Sequence, residues 1–397
     1  MENVVARPTQ IDSATSDAVS LSPHPLHPPH HPPRTPSGAM PPASNGPQAP
    51  RDPRGGDRAD ASASLAPAWW RHSRPSRWNP WLIALTALAG LWQWFGLGWA
   101  LRHWGDAAAW TLLPILLLTP MHWGLVHESI HGQLRLKARA NERTGRMLAL
   151  LLGLPYEIMR FGHLVHHRFT RQPYDRPDIS TLPDHASTAA RVRAWLGYQS
   201  RLLGGMWLAE CFAPLVAWVP ARRLPSLALK ALGSDAQDED VRRRAVMFAS
   251  DPVRRRRIRR EFAALLTALS LALWAYGPWW PVFVAAFAAR GVWLSIADNL
   301  PHYGVAMDEP ARARNFRASA FTRALLLNQH LHRVHHRYPT APWHRLPAID
   351  AAEPSPGPTI PYWRAIFRQF GSPLPPGTLE PSCAGPLVGQ PAGTSVH

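Results

Sequence analysis

Residues 107–131 read AAAWTLLPILLLTPMHWGLVHESIH, an apolar run that ends on two histidines, His127 and His131. A helix that crosses a bilayer needs about 20 mainly apolar residues. The run from Ala107 to about Val126 therefore predicts a span that delivers its histidines just beyond the hydrocarbon. On a helix, positions i and i+4 share one face, so the two imidazoles point the same way. A second run, Pro80 to Leu101, precedes it across a short loop holding Arg102, His103 and Asp106. Two more, about Phe262–Tyr276 and Pro281–Ala297, flank the turn Gly277-Pro278-Trp279-Trp280.

Aromatic and basic residues orient these runs. Trp69, Trp70, Trp78 and Trp81 precede the first, and Trp279 and Trp280 mark the late turn, as an interfacial belt would. Arg71, Arg74 and Arg77 lie before the first run, and Arg254, Arg255, Arg256, Arg257, Arg259 and Arg260 before the third. The positive-inside rule places both groups on the cytoplasmic side. It also accounts for much of the net charge of +17 without nucleic acid as a partner. The expected fold is thus all-α and integral to the membrane, with four transmembrane helices in two hairpins, interfacial helices and a cytoplasmic histidine-rich cap. Met147–Met159 is too short to cross, and Leu202–Val219 carries Glu210 and Pro214. Both are expected to be interfacial or re-entrant, because a crossing by only one would split the histidines between two compartments.

Composition divides the chain into a Pro/Ser/His-rich tail over 1–68, a membrane domain over 69–350 and a mostly disordered segment over 351–397. The tails hold too little apolar surface to offset the entropy of ordering. Two cysteines, Cys211 and Cys383, exclude a thiolate zinc site or a cysteine-ligated iron–sulfur cluster.

Two further histidine groups match the first. They are His163-Leu-Val-His166-His167 and His332-Arg-Val-His335-His336, and His302 follows the fourth apolar run within Asp298-Asn299-Leu-Pro-His302. Imidazole suits iron, zinc, copper or nickel, and one ion takes three or four such ligands, so nine converging histidines imply two ions. The tail sequence His27-Pro-Pro-His30-His31 repeats the spacing, but its prolines forbid a helix, and neither it nor His24 counts as a ligand set. His72, His103, His122, His185 and His344 read as surface or packing residues. His330, two positions before His332, falls off the ligand face and reads as a supporting residue. His127-Glu128-Ser-Ile-His131 is also a literal H-E-x-x-H, the pattern of a zinc protease with Glu128 as base. That reading leaves the other two groups without a role.

The order HxxxH, HxxHH, HxxHH, with paired spans between the second and third, resembles the membrane fatty acid desaturase and hydroxylase superfamily. Asn328-Gln-His330-Leu-His332-Arg-Val-His335-His336, continued by Pro339, Pro342-Trp343 and Pro347, is similar to that family's third box, and His166-His167-Arg-Phe-Thr170 with Asp175 and Asp178 to its second. The resemblance covers roughly residues 80–350. It implies two non-haem irons held by His127, His131, His163, His166, His167, His302, His332, His335 and His336, with O2 as co-substrate. In that family the ninth histidine often stands four residues after an asparagine; here position 298 is Asp and Asn299 falls one residue late. Glu128, Asp175, Asp178, Asp298, Asn299 and His330 are the candidates to orient ligands.

The implied activity is oxygen-dependent desaturation of a fatty acyl chain in the membrane. A carotenoid ketolase or hydroxylase, or a fatty acid hydroxylase, is the alternative on the same centre. Electrons are expected from an external ferredoxin or b-type cytochrome. The implied setting is a multi-pass protein of a bacterial-type inner membrane, with boxes and both termini cytoplasmic. Arg168, Arg171, Arg333 and Arg337 either meet an anionic head group or only satisfy positive-inside topology.

Overall fold

The computed structural model describes residues 73–374, apart from 184, 307–308, 356–358 and 372. The tail expected over 1–68 lies outside the described residues, as do Trp69, Trp70 and Cys383. Among the described residues the chain is helical, and strand-like pairing is limited to isolated bridges.

Helix α1 (Asn79–Leu91) continues through a π turn, Trp92–Gly96, into α2 (Leu97–Trp104). The chain reverses at Gly105 and returns through α3 (Leu112–Leu117) and α4 (Thr119–Ile130), which are bent by 43° where they meet. The first hairpin closes on itself. Asn79 Nδ2 donates to the Leu134 carbonyl (3.0 Å), so the start of α1 and the end of α4 share one end of the bundle.

Helices α5 (Ala138–Leu152) and α6 (Tyr156–Phe169) follow, bent by 103° at Gly153-Leu154-Pro155. Gly153 has φ +82°, and a Cβ there would strike the Phe287 ring, so no other residue fits the corner. Asn141, near the start of α5, bridges the Ser129 carbonyl and the Leu134 amide, while Leu148, Leu151 and Leu152 bury deep in the bundle. The pair is sharply bent at this corner, within the stretch Met147–Met159.

Helices α7 (Thr188–Ser200), α8 (Met206–Phe212), α9 (Leu224–Leu232) and α10 (Glu239–Ser250) form the intervening segment. Around Leu202–Val219 the chain is broken at Gly204 (φ +109°), and Trp207 packs on α12 with its amide donating to Ser295 Oγ. Helix α11 (Pro252–Tyr276) and α12 (Trp280–Asn299) are separated at Gly277, where φ is +55°. They run antiparallel. Ile258 in α11 packs near Phe161 of α6, and α12 ends three residues before His302, which meets His166 of the same α6.

By length and composition, Asn79–Trp104 and Pro252–Asn299 are apolar enough to cross a membrane, and each bent pair qualifies when taken together, giving two to four candidate spans. The first expected hairpin falls on the first stretch and one bent pair; the second falls within Pro252–Asn299.

A polar tie links these helices away from the histidine boxes. Arg290 of α12 donates to Gln93 Oε1 in the π turn and to His122 Nδ1 of α4 (2.8 Å), and His122 Nε2 donates to the Leu148 carbonyl (2.9 Å). His122, expected as a surface or packing residue, is thus a buried connector at 2% exposure. The sequence hides this because its partner lies 168 residues away.

The last elements are α13 (Ala320–Leu325), α14 (His332–Arg337), α15 (Leu346–Ala352) and α16 (Tyr362–Arg368). Folded structure therefore continues past the expected boundary at 350. Gln369 accepts from Tyr198 Oη through its carbonyl and from Asn299 Nδ2 through its side chain, both at 2.9 Å. Leu374 lies beside Asp178 and Ser180, giving to one backbone and accepting from the other.

Candidate metal centre

The three boxes reach one place by three different devices. Helix α4 carries His127 and His131 out of the bundle. The sharp bend before α6 returns His163, His166 and His167 to the same end. Leu327 and Asn328, both with left-handed φ (+46° and +58°), turn the chain so that α14 begins at His332.

The nine predicted histidines form two sets. His127, His131, His163, His167 and His335 make one, and His166, His302, His332 and His336 the other; within each, the nearest donor atoms lie within 4.8 Å of one another. The sets adjoin, with the His167 and His336 rings stacked at 4.2 Å. His330 belongs to neither set, although it is buried.

The ring protons indicate what the sets are built for. His166 Nδ1 faces Asp175 Oδ2 at 3.0 Å, and His302 Nδ1 donates to the Arg312 carbonyl at 2.9 Å. Each proton is then on Nδ1, and the two Nε2 lone pairs face one another at 3.1 Å. Two lone pairs that close repel unless a cation lies between them. The same spacing recurs through Nε2 for His131–His163 (2.9 Å), His163–His167 (3.0 Å) and His167–His335 (3.0 Å). His127 has no protein partner for either ring nitrogen, and His336 none for Nε2. A metal–nitrogen bond of about 2.1 Å puts neighbouring donors about 3.0 Å apart at right angles and about 3.4 Å apart at tetrahedral angles. These spacings suit imidazoles that share a metal ion, in two adjoining groups.

Outside the spans, burial is the first cause that holds the imidazoles of His302, His332, His335 and His336 below their ordinary pKa, with neighbouring histidines adding to it; His332 is lowered to about 3. They are neutral at physiological pH, the form that binds metal. A histidine whose folded pKa is depressed contributes stability above its unfolded value of about 6.5 and loses it as pH falls below that value, because only the unfolded chain takes up the proton. Stability and metal retention are expected to decline together as pH drops from about 6.5, which a pH series of metal content and melting temperature will register.

The supporting residues divide clearly. Asp175 orients His166 and also accepts from the Arg171 amide. Asp178 touches no ligand. Fully buried, it pairs with Arg171 and accepts from the Gly304 amide (2.7 Å), two residues after His302. Glu128 accepts from the Trp343 amide (3.3 Å), which ties α4 to the proline-rich continuation. Asn299 bonds Tyr198 and Gln369 and braces the loop that carries His302. Asp298 is exposed to a cleft over the histidines, where it faces His166. Replacing Asp175 with Asn is expected to cost about 10- to 100-fold in activity while most metal stays bound, the usual penalty for losing a carboxylate behind a metal-bound histidine.

Two expectations on head-group binding change. Arg171 is buried against Asp178, and Arg333 is paired with Glu309 (2.7 Å), so neither is free for an anion. Arg337 lies 3.5 Å from Glu353 at a half-exposed position. Arg312 escaped the sequence reading altogether, because it acts through its carbonyl, and a backbone atom leaves no mark in the residue pattern.

The cleft is walled by Trp123, Trp293, Phe316 and Leu326, with His127, His163, His166 and His332 at one face. A second, smaller space shares Trp123 and Asp298 and extends to Glu210. Apolar walls over an imidazole floor suit a hydrocarbon brought to a metal.

The family model described as fatty acid desaturase matches residues 106–365, more than half of the chain and all three boxes. No curated protein matches the chain.

Proposed function

Since the chain belongs to the fatty acid desaturase family, we propose that it is a di-iron oxidoreductase that desaturates a fatty acyl chain within the membrane. The observation that carries this reading is the meeting of nine imidazoles in a five-and-four arrangement beneath an apolar cleft. When bound, the two irons supply the oxidant that removes hydrogen from an unactivated methylene, with O2 as co-substrate. The chain's own residues do the rest. Asp175 and the Arg312 carbonyl fix the ring orientations of His166 and His302. Trp123, Trp293 and Phe316 wall off water and leave a hydrocarbon segment against His127, His163 and His166.

Orientation follows from charge: the boxes and the Arg254–Arg260 segment would face the cytoplasm. An external ferredoxin or b-type cytochrome would bring electrons to that basic face, and raising the salt concentration is then expected to slow turnover with a purified donor. A rate indifferent to salt would remove charge steering from the account.

Two measurements test the reading. Metal analysis of the purified protein should give two irons per chain, where a single zinc would support the H-E-x-x-H protease instead. Gas chromatography of lipids from expressing cells should show a new unsaturated acyl species. Ketocarotenoids changed alone would transfer the same centre to a carotenoid substrate.

A further inference from the structure

Among the apolar walls of the cleft, one side chain is out of keeping. Gln329 lines the cavity beside His332, and both its Oε1 and its Nε2 are buried without a protein partner. Its own backbone is satisfied, since its amide donates to the Leu326 carbonyl, and its neighbour Asn328 is occupied with the Trp343 carbonyl. The Gln329 amide is therefore free and presented to whatever fills the cleft. Asp298 faces the same space with a carboxylate. A glutamine amide offers two donors and an acceptor, and a carboxylate offers acceptors only. Saturated methylenes answer neither, and a buried polar group left unpaired is costly. A carbonyl can accept from Nε2 but has nothing to give Asp298. A hydroxyl both accepts from Nε2 and donates to a carboxylate or to Oε1, so it matches the pair.

Resting on the acyl-oxidation reading above, we propose that Gln329 is a specificity-determining residue, and that the acyl or alkyl substrate carries a hydroxyl group close to the carbon that is oxidised. The hydroxyl belongs either to the chain or to the group that carries it, and both present the same chemistry to the amide. A site that hydrogen-bonds a substrate hydroxyl discriminates strongly against the analogue that lacks it.

The test uses the full-length, iron-loaded protein in detergent, with stearate, a positional series of hydroxystearates, and a monoacylglycerol carrying a plain stearoyl chain. Ligand-induced thermal stabilisation gives relative affinities without requiring turnover. At least one hydroxyl-bearing probe is expected to bind at least about tenfold more tightly than stearate. A preferred hydroxystearate places the hydroxyl on the chain, and a preferred monoacylglycerol places it on the carrier. The preference should vanish in Gln329→Leu and weaken in Gln329→Asn, which keeps the amide but withdraws it by one methylene, while iron content stays unchanged and stearate, which leaves the amide unpaired, binds Gln329→Leu at least as tightly. Equal affinities across the panel, no stabilisation by any hydroxyl-bearing probe, or a preference that survives in Gln329→Leu would each overturn the proposal. Product analysis on the same panel separates the two readings. Oxidation of plain stearate without hydroxyl preference keeps the enzyme and removes the role of Gln329, whereas selective binding without oxidation does the reverse.

Discussion

Replacing His335 with alanine will strip metal from the protein and lower acyl oxidation by at least about a hundredfold. His335 is 1% exposed, with its Nε2 3.0 Å from that of His167 and its ring 4.4 Å from that of His127. Among the described residues it is the third box's single contribution to the five-histidine set. Its removal deletes a donor and also the link that holds α14 against α4 and α6. Losing only a residue behind a ligand costs about 10- to 100-fold, so losing the ligand sets that range as a floor. His330→Ala is the matched control: it is equally buried and five residues away, but outside both sets, and it should keep its iron. Metal analysis with lipid chromatography checks both variants. Full iron in the His335→Ala protein would break the assignment.

The second large effect lies away from any ligand. Replacing Asp178 with leucine leaves Arg171, itself fully buried, without its counter-charge. Breaking a buried ion pair by removing one partner typically costs about 3–5 kcal/mol, a large share of the stability of an ordinary domain. It also frees the Gly304 amide beside His302, so the four-histidine set should lose metal before the five-histidine set does. Thermal unfolding together with iron content will show a lowered midpoint and substoichiometric metal. An unchanged midpoint would mean that the Arg171–Asp178 pair is not what holds this loop.

The sequence was most legible where chemistry repeats at helical spacing. Eight of the nine histidines stand out because i, i+3 and i+4 patterns need only local geometry, and His302 stands out by its place after the fourth apolar run. The turn at Gly277 and the corner at Gly153-Pro155 are also local. What stayed hidden depends on partners far along the chain. Nothing in the vicinity of Asp178 announces Gly304 as a donor 126 residues away. His122 reads as an ordinary histidine until Arg290 is placed beside it, and Glu128 reads as a base until Trp343 is. The ordered helix Tyr362–Arg368 was obscured by its proline-rich flanks, which composition alone assigns to a tail.

The five-and-four division also bears on how the protein is made. Four of the five members of the first set are already synthesised once His167 is translated, but the fifth follows 168 residues later. At about 5–20 residues per second, that interval is roughly 10–30 seconds. During it the nascent chain displays a cluster of imidazoles that copper or zinc would bind more tightly than ferrous iron does. Correct loading therefore depends on the metals available in that window as much as on the finished site. Expression under iron limitation with added zinc should yield folded but wrongly metallated protein.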